Sequence, residues 1–173
     1  MAYKSYYDSP VGRLELVSDG VNLTAVLFEN QQDDGTRLKN EDLVIFKETA
    51  QWLDAYFKGD NPEITIPLNP TGSDFQKRVW HELRQISYGS LTTYGEIAKK
   101  VGKALNKPKM SAQAVGGAVG SNPLSIIVPC HRVVGKTGSL TGFGGTISNK
   151  IKLLELENID MSGLYVPKHS TKP

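Results

Sequence analysis

Cysteine occurs once in these 173 residues and histidine three times. Nowhere do the ~20 consecutive apolar residues of a membrane span run together. A single cysteine, Cys130, excludes an internal disulfide, and with one histidine beside it there are too few ligands for a closed metal site. The start, Met1-Ala2-Tyr3-Lys4, leads into no signal-peptide core, so a reducing, intracellular compartment is expected and no membrane partner. What remains for Cys130 is a buried structural thiol or a nucleophile.

Charge is unevenly spread. Residues 1–74 hold 6 Lys/Arg against 13 Asp/Glu, and residues 75–173 hold 14 against 5. An acidic half joined to a basic half predicts two domains, with an anionic partner for the second; solvated surface charge is the plainer alternative. The prolines at 67 and 70 and Gly72 place the boundary near residue 70, giving domains over 1–70 and 71–173.

The expected fold class is α+β: a small N-terminal antiparallel sheet with one helix, then a mainly helical domain containing a helix-turn-helix. Residues 3–7, 14–17 and 23–28 alternate as strands around Ser9-Pro10-Val11-Gly12 and Ser18-Asp19-Gly20. Residues 29–40 read as a loop, 41–58 as a helix ending at Gly59, and 64–66 as a short strand. Ser73-Asp74-Phe75-Gln76 and Thr93-Tyr94-Gly95-Glu96 are capping-box patterns opening two helices, the second running through Val101. Trp80 fits the core of the first of these, and His81 its surface. Ser111 caps a further helix over 112–120, after a loop rich in lysine. Gly116 and Gly117 lie inside that helix, where each costs ~1 kcal/mol relative to alanine. They allow close approach of either a neighbouring helix or a phosphate chain.

Cys130 follows the apolar run Ile126-Ile127-Val128, read as a strand stopping at Pro129. Its thiol needs activation, because at an ordinary pKa near 8.5 it is mostly protonated at neutral pH. His131 can assist only if the chain turns at Pro129-Cys130, since strand neighbours face opposite ways. Glu157 can orient that histidine if residues 151–158 form a helix packed over the turn; alone it reads as an exposed helix charge. Asn122-Pro123 is a turn, or an amide fastening the strand that carries Cys130. Residues 138–145, rich in glycine, form a lid candidate and lack the lysine pattern of a phosphate loop.

Asn122-Pro123, Ile126-Ile127-Val128-Pro129-Cys130-His131-Arg132-Val133, Gly142-Phe143-Gly144-Gly145 and Glu157 together closely resemble the O6-alkylguanine-DNA alkyltransferases. The likeness spans Phe75 to about Asn158, with weaker echoes at Ser9-Pro10-Val11-Gly12. It implies single-turnover repair: duplex DNA bound through the minor groove, the damaged guanine flipped out, and its O6-alkyl group moved onto Cys130 without a cofactor or metal. O4-alkylthymine would be a second substrate, and the protein would act as a monomer. By the same resemblance His131 is the base through a water, Glu157 orients it and Asn122 holds the turn. Tyr94, Val133, Phe143 and Gly144 would contact the base, while Gln113, Gln76, Gly95, Ala114, Gly117 and Lys136 would contact DNA.

Two departures stand out. Gln113 occupies the place where members often carry an arginine that fills the gap left by the extruded base. Residues 1–74 hold neither cysteine nor histidine, so the zinc site of some relatives is absent. Three rivals remain in view: a lesion-binding protein of the same fold without chemistry, a regulatory helix-turn-helix protein sensing alkylation through Cys130, and a cysteine hydrolase.

Overall fold

In the computed structural model, residues 2–32, 35, 37–141 and 146–167 are described. The chain divides into two compact units: residues 1–71 with 123–127, and residues 72–122 with 128–173.

The first unit is built on a four-stranded sheet, ordered β3-β2-β1-β4, from β1 (Tyr3–Ser9), β2 (Gly12–Ser18), β3 (Leu23–Leu27) and β4 (Leu38–Lys39). The β1–β2 hairpin closes because Ser9 Oγ accepts from Val11 N and donates to Gly12 O, and Gly12 supplies the positive φ of 100° that the turn requires. β2 is buried from Leu14 to Ser18, Glu15 included. Arg37 meets that glutamate with Nη2 at 2.7 Å and Nε at 2.8 Å. Helix α1 (Val44–Phe57) buries Ile45, Phe46, Thr49, Trp52, Leu53 and Tyr56, the spacing of one helical face.

Three readings of this half change. β1 and β2, and β2 and β3, pair antiparallel as expected, but β4 joins β1 in parallel and lies in the stretch read as a loop. Two residues carry too little pattern to mark a strand; β4 exists because Leu38 N and Asn40 N donate to Ala2 O and Lys4 O. Residues 64–66 form no strand. Prolines at 62, 67 and 70 withhold ladder donors, and only Leu68 bridges to Leu23, with Leu23 N donating to Pro67 O and Asn69 N to Leu23 O. Further along β3, Val26 N donates to Pro123 O, which brings residues 123–127 into this unit.

The second unit contains α2 (Asp74–Leu83), α3 (Tyr94–Ala104), α4 (Ala112–Gly120) and α5 (Ile147–Leu156), with a two-stranded parallel sheet of β5 (Thr92–Thr93) and β6 (Val133–Val134). Each helix has a local start signal. Ser73, Thr93, Ser111 and Thr146 accept from the backbone N–H three residues on, and Ser73 completes its box with Gln76. Trp80 is buried and donates to Ala118 O at 2.8 Å, tying α2 to α4; His81 is exposed. α3 extends three residues past Val101. Beyond it the chain doubles back so closely that a Cβ on Gly102 would stand 2.6 Å from Lys107 O, a contact only glycine permits. A second small core joins Val134, Leu140 and Leu154, with Ile147 and Ile151 against them. Among the described residues no helix is long and apolar enough to cross a membrane, and no cluster of acids, histidine and cysteine could hold a metal.

Candidate active site

Past α4 the backbone turns repeatedly. Ile126, Ile127 and Val128 are buried but form no strand: Ile126 has a φ of 72°, and Ile127 N donates to Ser125 O two residues back at 2.8 Å. This is a γ-turn of the strained kind, uncommon for a β-branched residue. A second, relaxed γ-turn follows at Pro129 (φ −81°, ψ 66°), where Cys130 N donates to Val128 O at 2.8 Å. Continuous apolar character recorded burial here, not extension. Val128 O also accepts from the Asn122 amide at 2.9 Å, so one carbonyl gathers two donors two residues before the cysteine.

Residues 130–132 then form a single 3-10 turn. It brings both His131 and Arg132 onto Glu157, which is the cap residue following α5 rather than part of a helix over 151–158. Thr146 starts α5 four residues earlier than the apolar spacing indicated, and the helix ends one residue short of the carboxylate. His131 Nε2 lies 2.6 Å from Glu157 Oε2, with both side chains fully buried. A carboxylate only accepts, so Nε2 carries the proton and Nδ1 is the basic nitrogen. Burial holds His131 below its usual pKa; Glu157 opposes that shift, while Arg132 and Lys150 add to it. Burial therefore biases the imidazole toward its neutral form, with Nδ1 as the nitrogen that can receive a proton.

The Cys130 thiol is buried too, and burial raises its pKa, opposed by a hydrogen bond from Asn122, the charge of Lys150 and the backbone N–H groups of Cys130 and His131. Such a thiol is inert until a base relieves it of its proton.

Two residues of this cluster went unnoticed in the sequence. Arg132 donates through Nε to Glu157 Oε1 (2.8 Å), through Nη2 to Oε2 (3.2 Å) and through Nη1 to Ile86 O (2.7 Å). Its position directly after His131, on a turn of three residues, was the available signal. Lys150 is fully buried and donates to Val133 O at 2.6 Å and Thr141 O at 3.1 Å. Burial pushes its pKa down to about 8. Its signal was a lysine on the buried stripe shared by Ile147, Ile151 and Leu154.

Tyr94 opens α3 and is 9% exposed. Its hydroxyl donates to Thr141 O at 2.5 Å, and burial beside Cys130 raises its pKa. Val133 is fully buried, and its carbonyl accepts from Lys150. Phe143 and Gly144 lie outside the described residues. Gln113, Ala114 and Gly117 are exposed on α4, Gly95 on the first turn of α3, and Lys136 on the turn after β6. A Cβ on Gly117 would meet nothing within 4 Å, so no neighbouring helix explains that glycine, whereas Gly116 faces Tyr94. Gln76 is half-buried, its amide accepting from Ser73 N and donating to Ser121 Oγ.

Comparison with known proteins places this arrangement. Residues 74–159 match the family model described as 6-O-methylguanine DNA methyltransferase, DNA binding domain. Residues 2–70 match the one described as 6-O-methylguanine DNA methyltransferase, ribonuclease-like domain. A relative from Haemophilus influenzae named methylated-DNA–protein-cysteine methyltransferase is 46% identical, covering 99% of this chain and 93% of its own. A relative of the same name from Methanosarcina acetivorans is 41% identical over 90% of this chain and 97% of its own. The solved structure of Mycobacterium tuberculosis OGT in complex with DNA aligns with a TM-score of 0.81 at 42% identity, covering 90% of this chain and 92% of that one.

Proposed function

The chain belongs to the 6-O-methylguanine DNA methyltransferase family, and we propose that Cys130 is the residue onto which it moves the alkyl group. The protein repairs DNA by direct transfer of an alkyl group to cysteine. One observation carries the assignment: a buried thiol followed, on the same turn, by a histidine whose Nε2 is held 2.6 Å from a buried carboxylate.

The step follows from these groups. His131 Nδ1 takes the thiol proton through a water, and Glu157 supports the imidazolium that forms. The thiolate attacks the alkyl carbon in line; the S–C bond forms as the C–O bond breaks, and its electron pair leaves on the guanine. Tyr94, now donating to Thr141 O, turns its hydroxyl toward the departing base. Asn122 keeps Cys130 in place through Val128 O. The thioether has no hydrolytic route in this site, so each molecule reacts once.

Duplex DNA is the partner. The exposed face of α4 with Gln113, Ala114 and Gly117, together with Gly95 and Lys136, supports a minor-groove contact, Gln113 filling the space of the flipped base. The relay is complete within one chain, consistent with action as a monomer, and a thiol that must stay reduced supports an intracellular setting.

Incubation with a duplex containing O6-methylguanine, followed by intact mass and peptide mapping, tests the assignment. One methyl increment on the Cys130 peptide is expected, and none in Cys130→Ser. Binding without a mass change would instead identify a non-catalytic lesion binder or sensor.

A further inference from the structure

The relay as described gives Arg132 no part, yet this residue makes more contacts to Glu157 than His131 does. Its guanidinium spans the carboxylate, Nε on Oε1 and Nη2 on Oε2, while Nη1 is anchored on Ile86 O. The ring of Tyr88 lies 5.6 Å from its Cζ, and Gly89 N donates to Glu157 Oε1 at 3.1 Å. The carboxylate is thereby fixed in plane, with Oε2 directed at His131.

We propose that Arg132 is a positioning residue for the proton relay: it holds Glu157 through both oxygens and offsets its charge, so that the carboxylate orients His131 without drawing a resting proton onto it. The inference rests on the transfer reading above and concerns how that site is poised.

The reason is electrostatic. A buried carboxylate touching a lone imidazole favours the imidazolium, and an imidazolium cannot accept the thiol proton. Arginine keeps its charge at any working pH, so the Arg132–Glu157 pair presents little net charge to His131. The forked geometry also dictates which oxygen faces the ring. Among the described residues, the charged and titratable groups around His131 include Cys130 and Arg132 on its own turn, and Glu157 and Lys150 from α5 and its cap. The loop between α2 and β5 contributes the Tyr88 ring and the Gly89 N–H. Glu157 favours a protonated ring. Arg132 and Lys150 oppose it, alongside burial.

The test is the pH profile of benzyl transfer from the free base O6-benzylguanine, which needs no DNA, in wild type, Arg132→Gln and Arg132→Lys. In wild type the rate rises with pH to a plateau, with its acid midpoint below the ordinary histidine value. Arg132→Gln is expected to move that midpoint up by about one unit, so that the rate falls about 3-fold more at pH 6 than at pH 8.5, approaching tenfold only well below both midpoints. Arg132→Lys, which restores charge without the fork, is expected to return the midpoint toward wild type while the plateau stays low. An equal loss at every pH with the midpoint unmoved would overturn the proposal and leave Arg132 a brace for the fold. Should the variants not fold, nitrogen NMR of the His131 ring in the wild-type protein decides. A neutral ring protonated at Nε2 at pH 7 supports the inference, and an imidazolium overturns it. Absence of any benzyl adduct on wild type would count against the transfer reading, and the ring state would still be read independently.

Discussion

Lys150 and Tyr94 donate to the same carbonyl, that of Thr141, from opposite elements: α5 supplies an ammonium at 3.1 Å and α3 a hydroxyl at 2.5 Å. Lys150 continues to Val133 O at 2.6 Å, three residues past Cys130. The segments at Val133 and Thr141 are thus drawn together by one buried ammonium. A buried charge in that position costs stability and must return something to the site: here, two fixed carbonyls and an electrostatic pull on the thiol.

That cost has a pH signature. Lys150 falls from 10.5 to about 8 on folding, so between these values the unfolded chain binds more protons and stability rises with pH. The full span corresponds to roughly 3 kcal/mol. The thiol titrates in the opposite sense above its unfolded value, so the measurement belongs in a Cys130→Ser background. Thermal unfolding there should show stability climbing from pH 8 to 10. Adding Lys150→Met should flatten the climb; a slope that survives the change would assign it elsewhere.

Glu157→Gln should do two things at once. Transfer slows because the neutral amide no longer supports an imidazolium. Folding also weakens, by about 3 kcal/mol, because Arg132 keeps a buried charge without its counterion. Denaturant titration beside single-turnover kinetics separates the two effects. A variant as stable and as fast as wild type would reduce Glu157 to an ordinary helix-end charge.

Gly117→Ala should stabilise the protein by about 0.5–1 kcal/mol, since the position is helical, exposed and has open space where the methyl would sit. The same methyl should weaken duplex binding, if the glycine exists for close approach of a phosphate chain, and leave reaction with O6-benzylguanine unchanged. Unaltered DNA affinity would detach Gly117 from the DNA face.

Gln113 is exposed on the first turn of α4. Flipping a base costs a few kcal/mol, part of which a side chain recovers by filling the gap. Gln113→Ala should slow repair of the duplex substrate and spare the free base; Gln113→Arg should hold or raise the duplex rate, because a guanidinium can stack and approach phosphates. Equal slowing on both substrates would show that Gln113 supports the site and not extrusion.

Local chemistry determined what was legible from the residues alone. Ser73, Thr93 and Ser111 announce α2, α3 and α4 because a capping bond needs only three residues of sequence. The acidic and basic halves, the missing metal ligands of residues 1–74 and the juxtaposition of Cys130 with His131 are likewise properties of the chain itself. Tertiary structure decided the rest. β4 is a strand because β1 accepts it, and Ile126–Val128 is not one because Asn122 and the γ-turns fold it back. Whether Lys150 is a surface charge or the clamp on Val133 O and Thr141 O depends on residues 17 and 9 positions away, and the Arg132 fork on a carboxylate 25 away. Periodicity and capping report which face is buried; they cannot report which distant polar group arrives to meet a buried charge, and at this site those arrivals set the proton chemistry.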